Sequence, residues 1–316
     1  MNRPGKGITK DRAIREEGYT FAGYFRMLKN RFWNLSSLNI LYVIMNFPIF
    51  FGLIALSGAF NVETTMPTSP FYPVLFGISQ YGETPYITAL LSILGGNVTW
   101  SVATTTTKCL GLLTLLVVFT GGITNVGATY VIRGYLKSEP VFLFGDFFGA
   151  IKKNFLQGMI LGLLDAFFVY ALGFGLMTYY INAGNYALSV MFFAELLLAF
   201  VYLTMRFYMY MLLITFDISI PKLIKNSFIF AIIGYKRNTL AWLGILAFVI
   251  INVYVFMFLM VFGVILPFII TDSLLMFTGA YASYPVIKKY MIDPYYKNET
   301  NEKLTPAEEP IFIDRG

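Results

Sequence analysis

Three ionisable side chains, Asp165, Glu195 and Arg206, fall inside or beside long apolar stretches of a 316-residue sequence in which charged residues make up only 13%. A charge in hydrocarbon is costly and faces a bundle interior or a watery cavity. Asp165 stands ten residues from the basic end of its stretch, about 15 Å in helical rise. Glu195 stands seven residues from the other end of the next stretch, about 10 Å deep. Consecutive helices run antiparallel, so the two carboxylates are expected near one level. Close carboxylates share a proton or hold a cation between them, which is the chemistry of an ion-coupling or polar-solute site. The other reading is two protonated acids bonded to neighbouring Tyr, Ser or backbone groups. Arg206 lies eleven residues from Glu195, about 16 Å along the axis, too far to pair with it. It is expected to reach the inner headgroups or to meet Asp217 or Asp146 there. Asn39, Asn46 and Asn125 either line the same cavity or bond helices together.

Other chemistry finds little support. The sequence holds no histidine, which removes the usual general base and the commonest transition-metal ligand. Cys109 is alone, so no intramolecular disulfide can form. The GGITNVG stretch at 121–127 lacks the Lys and Ser/Thr ending of a phosphate loop and lies in an apolar run. No catalytic residue, cofactor or metal site is expected, although carboxylate chemistry keeps an enzyme conceivable.

The elements that must carry these residues follow from hydrophobic runs. Residues 1–18 read as a polar tail. In residues 19–34, Phe21, Tyr24, Phe25, Leu28 and Phe32 recur at three and four, with Arg26, Lys29 and Arg31 elsewhere. That pattern predicts a short amphipathic interfacial helix, with Trp33 at the headgroup level. Spans are expected at 35–60, 109–132, 155–181 and 188–213. The first is interrupted by Asn39, Asn46 and Pro48. Residues 239–284 are nearly all apolar. One helix of that length would be about 69 Å long, against a core of roughly 30 Å. Two spans with a tight turn near Gly263–Pro267 are expected. The 61–107 connection is long for a structureless loop. Ile87–Leu94 within it is too short to span and reads as a surface helix. Leu223, Phe228, Ile229 and Ile232 predict an amphipathic helix between the fourth and fifth spans. The 293–316 tail reads as polar and disordered.

Charge sets the orientation. The segment through Asn34 holds eight Lys and Arg, residues 133–154 four, residues 217–238 four and the C-terminal segment five, which is 21 of 23 on one side. By the positive-inside rule the fold class is an all-α polytopic membrane helix bundle of six transmembrane helices, with cytoplasmic N- and C-termini. The domain reading is a tail with its interfacial helix at 1–34, a membrane domain at 35–284 with an extracytoplasmic insertion at 61–107, and a tail at 285–316. The sequon NVT at 97–99 would lie outside and NET at 298–300 inside. Basic residues against a bilayer point to anionic lipid, not nucleic acid.

Three stretches carry a resemblance: FRMLKNRFWNLSSLNILYVIMNFPIF, GGITNVGATYVIRGYLKSEPVFLFGDFFGAIKKNFLQGMILG and PKLIKNSFIFAIIGYKRNTLAW. In this order they resemble the YesL-like bacterial membrane proteins, a family of unknown function. The long 61–107 connection departs from that family, whose members are usually shorter. The resemblance implies a multi-pass protein of the bacterial cell (plasma) membrane, with a role beside a carbohydrate uptake transporter. Three functional readings stand at this point. One is an accessory or transport-related partner of such a transporter, its subunits or a second copy of the chain being partners. Another is a stand-alone small-solute or ion carrier built around Asp165 and Glu195. The last is a structural membrane scaffold.

Overall fold

Backbone amides in hydrocarbon must pair within their own segment, so long apolar runs wind into helices. The computed structural model describes residues 19–82, 84–182 and 184–294. The tails at 1–18 and 295–316, with the 298–300 sequon, lie outside them. Among the described residues, five helical stretches are long and apolar enough to cross a membrane: 105–136, 155–181, 186–215, 235–258 and 262–292. A broken pair, 21–45 with 49–56, makes a sixth if counted as one. The chain is an all-α bundle with outward apolar faces. Of the 24 residues of Tyr235–Phe258, only Asn238 and Ala241 are buried, whereas a soluble helix so apolar would hide most of its surface.

The chain divides into two compact units, one of 1–46 with 118–316 and one of 47–117. The smaller unit begins with α2 (Ile49–Leu56) and continues through β1 (Val62–Pro67), α3 (Tyr72–Ser79), α4 (Pro85–Leu94), β2 (Asn97–Val102) and α5 (Thr105–Thr114). The two strands pair antiparallel from Val62 opposite Val102 to Pro67 opposite Asn97. This ribbon is the local structure that the long connection required. Its Thr and Val residues suit a strand, but no tight turn joins the strands, so periodicity gave no hairpin signal. Asn61 ties the base of the ribbon, donating to Ser101 Oγ at 3.0 Å and accepting from Thr107 Oγ1 at 2.9 Å.

The larger unit contains α1 (Phe21–Met45), α6 (Leu116–Leu136, from Val118 onward), α7 (Leu143–Lys153), α8 (Phe155–Ile181), α9 (Tyr186–Thr215), α10 (Ile220–Ile233), α11 (Tyr235–Phe258), α12 (Met260–Leu266) and α13 (Asp272–Ile287). Its core includes the fully buried Leu35, Leu38, Ile132, Phe147, Tyr208 and Phe277. The interfacial helix and first span expected as separate pieces form one helix, α1, capped by Thr20 and ending before Asn46. Nothing breaks the helical pattern at residue 34, so amphipathic and apolar halves propagate as one rod.

The reversal expected near Gly263–Pro267 comes earlier, at Leu259. Gly263 then lies against the Phe256 backbone, where a Cβ would collide. Pro267 sits inside the last helical stretch instead, and the chain widens to a π-helical turn over Pro267–Thr271 before α13. The helix predicted from Leu223, Phe228, Ile229 and Ile232 forms, but the four do not share a face. Leu223, Ser227, Phe230 and Ala231 of α10 are buried, while Phe228, Ile229 and Ile232 are exposed.

Candidate functional site

Helices α8 and α9 form an antiparallel hairpin around the 182–185 turn. Positions equidistant from that turn face each other. Asp165 precedes Asn182 by the 17 residues by which Tyr202 follows Asn185. Accordingly Tyr202 donates to Asp165 Oδ1 at 2.9 Å. Arg206, one helical turn further on, donates through Nε to Asp165 Oδ2 at 3.1 Å, and its Nη2 lies 2.9 Å from the same oxygen in an ion pair. The Tyr210 hydroxyl completes the carboxylate's shell at 3.4 Å. The Asp165 side chain is 8% exposed and that of Arg206 is 36% exposed, so the ion pair is buried on its acidic side and open on its basic side.

Arg206 therefore pairs with Asp165 and not with Asp146 or Asp217. Its four-atom stem is held inward because Asp165 lies at its own depth. Asp146 accepts from the Phe142 amide at 2.7 Å, at the start of α7. Asp217 lines a cleft of about 660 Å³ with Arg133 and Lys153. Asp165 and Glu195 are not brought together either. The Glu195 carboxylate lies over Gly175, ten residues along α8 from Asp165, or about 15 Å. No shared proton or bridging cation fits that separation. The expectation compared depths measured from opposite ends of the hairpin, when the common turn is the proper origin.

Glycine brings α8 to the site. Gly158 and Gly162, one turn apart on α8, lie against Gly122 on α6, the close approach that small residues permit. A Cβ at Gly162 would fall 2.5 Å from Gly122 Cα. Gly162→Val is thus expected to destabilise the protein by on the order of 1–3 kcal/mol and to displace Asp165 one turn along. Thermal unfolding in detergent, compared with the outward-facing control Gly173→Val, measures it. No atom comes within 4 Å of a Cβ placed at Gly173.

The open side of Arg206 faces a cavity of about 270 Å³, lined also by Tyr42, Asn125, Tyr210, Trp242 and Asp272. Tyr42 donates to Asn125 Oδ1 at 2.9 Å, which joins α1 to α6, and Tyr210 of α9 lines the same cavity beside them. Trp242 is fixed by its indole N–H, which donates to Thr204 Oγ1 at 2.8 Å. The guanidinium has five N–H donors. Two serve Asp165, and the others have no protein acceptor among the described residues.

Asp272 is the acid that pattern reading missed. It lies within the long apolar stretch, directly after the π-helical turn, and lines the cavity without a hydrogen-bonding partner among the described residues. Single-turn widenings of this kind recur at functional sites. The turn is stabilised by Asn39, which is fully buried. Its Nδ2 donates to the Pro267 and Phe268 carbonyls at 2.8 and 2.9 Å, and its Oδ1 accepts from the Ser273 amide at 2.8 Å. Asn39 thus bonds helices and does not line the cavity. Asn46 likewise serves the backbone, donating to the Tyr42 carbonyl at 3.1 Å while accepting from Thr120 Oγ1 at 3.3 Å. Of the three asparagines, Asn125 lines the cavity. No three Asp, Glu or Cys side chains among the described residues converge as metal ligands.

Residues 93–176, about a quarter of the chain, match the model of a family described as a protein of unknown function, DUF624. That match covers α8 as far as Leu176, including Asp165, but not α9. No curated protein and no solved structure matches the chain.

Proposed function

We propose that this chain is a carrier-type membrane protein that binds a small hydroxylated solute, of monosaccharide size, in the Arg206 cavity. One observation carries the reading. A guanidinium pre-oriented by Asp165 turns its spare N–H donors into a cavity that also holds the unpaired carboxylate of Asp272. Hydroxyl groups donate to a carboxylate and accept from a guanidinium, so a polyol satisfies both. The Trp242 ring supplies an apolar wall of the kind that orients such ligands. Asp165, Arg206 and Asp272 together carry one net negative charge when ionised, which disfavours an anionic solute. The resemblance to YesL-like bacterial proteins, with their carbohydrate-uptake setting, supports the same solute class and a place in the bacterial plasma membrane.

The test uses Trp242 as reporter. In full-length protein with Trp33 and Trp100 replaced by Phe, a monosaccharide panel is titrated while emission is followed. A saturable shift is expected for at least one sugar. Asp272→Asn should weaken it about tenfold, the loss of one charged hydrogen bond, while leaving thermal stability equal or higher, because an unpaired carboxylate is costly to desolvate. Unshifted emission across sugars, together with no sugar-driven current in proteoliposomes, would remove the proposal.

A second reading, a partner of a carbohydrate transporter, is favoured by the exposed Phe228, Ile229 and Ile232 on α10 beside Lys222 and Lys225. Recovery of transporter subunits with the intact chain in mild detergent would support it. Their absence would count against it.

A further inference from the structure

A separate apolar groove of about 440 Å³ runs along α11 between α1 and α13. It has no part in the solute cavity. Tyr24 and Phe25 of α1 form one wall and Tyr281 of α13 the other. Gly244 and Ala247 of α11 lie along it, and Ile251 lines its far end. At the opposite end stands Arg237, the third residue of α11. Arg237 is half-buried and gives one N–H to the Tyr19 carbonyl at 3.1 Å. Its other donors have no acceptor among the described residues, and the exposed Lys236 stands beside it.

We infer that this groove is a binding site for one anionic phospholipid of the leaflet next to the basic end of the bundle. Charge and length both specify the occupant. From Arg237 to Ile251 is fourteen residues, about 21 Å of helix. Half a bilayer, headgroup included, is roughly 20–22 Å thick. An acyl chain seated on Gly244 and Ala247 would bring its phosphate level with Arg237 and Lys236. Arginine forks to phosphate in bidentate fashion, and basic clusters at this depth attract anionic headgroups. A soluble apolar ligand would leave the two cations unmatched. A free phosphate would leave the groove empty.

Native mass spectrometry of the full-length protein tests this, with phosphatidylglycerol and phosphatidylcholine offered in equal amounts. One phosphatidylglycerol is expected to be retained about tenfold more often than phosphatidylcholine. Arg237→Gln should abolish that preference, and Arg237→Lys should keep most of it. Ala247→Phe, at an exposed position, should fill the groove and reduce retention of both lipids. Equal retention by the unaltered protein, an undiminished preference in Arg237→Gln, or displacement by glycerol phosphate lacking acyl chains would each overturn the inference. The Trp242 titration should be the same with either lipid, which keeps this result apart from that of the solute cavity.

Discussion

Replacing Asp165 by alanine is expected to destabilise the bundle by about 2–4 kcal/mol, measured as thermal or denaturant unfolding in detergent. The carboxylate accepts three hydrogen bonds from three side chains of α9, one of them from Arg206, whose Nη2 also lies 2.9 Å from Oδ2 in an ion pair. Its removal leaves the guanidinium without a counter-charge inside the bundle and two buried tyrosine hydroxyls without an acceptor. Breaking one side of such a pair costs far more than deleting both. The double variant Asp165→Ala with Arg206→Leu should therefore recover part of the loss. A double variant as unstable as the sum of the single changes would show that the ion pair is not the source. Solute binding should fail in the double variant even where stability returns, because the donors that face the cavity are gone.

The second large effect is expected at Asn39, where leucine, of the same branching though bulkier, should cost on the order of 3 kcal/mol. Asn39 satisfies two carbonyls and one amide around the π-helical turn. Each orphaned buried group costs about 1–3 kcal/mol, and neighbouring lipid offers no replacement partner. Asn39→Asp separates the contributions. It keeps an acceptor for the Ser273 amide but sets a carboxylate against the Pro267 and Phe268 carbonyls, so it should be no more stable than the leucine variant. If Asn39→Leu unfolds with the unaltered protein, the turn holds itself and its geometry has another cause. Because Asp272 directly precedes Ser273, a destabilising Asn39 variant should also weaken sugar binding in the Trp242 assay.

How much of this was legible beforehand depends on which interactions are local. Spacing placed most of the apolar helices, though not the joined helix Phe21–Met45 or the reversal at Leu259, because helix formation in lipid depends on run length and little else. What pattern reading missed was pairing. Asp165 and Arg206 are 41 residues apart, and their encounter depends on hairpin register. Counting equal distances from the 182–185 turn finds it, so the signal was present though unused. Gly158 and Gly162 form a small-residue repeat on α8 that could also have been read, yet its partner Gly122 follows from tertiary contact alone. Asp272 was hidden by averaging, since one acid among apolar neighbours hardly changes the character of the stretch. Of the two readings open for Asn39, cavity lining or inter-helix bond, the structure has the bond, which answers a backbone need that arises 228 residues later in the widened turn at Pro267.

The widened turn at Pro267–Thr271 carries one implication for the angular order of everything behind it. An ordinary helix advances 100° per residue, so one extra residue accommodated in a broad turn re-phases the following segment by about a quarter revolution. Deleting Ile269 should let the rod close into regular α-helix with Asp272 still on the cavity wall, because the residue lost and the tighter winding cancel, whereas tightening the turn at an unchanged residue count would rotate Asp272 by that amount, off the wall, with composition and apolar length the same. Two such rods would look alike to any measure of hydropathy. They would differ only in the direction in which one carboxylate points.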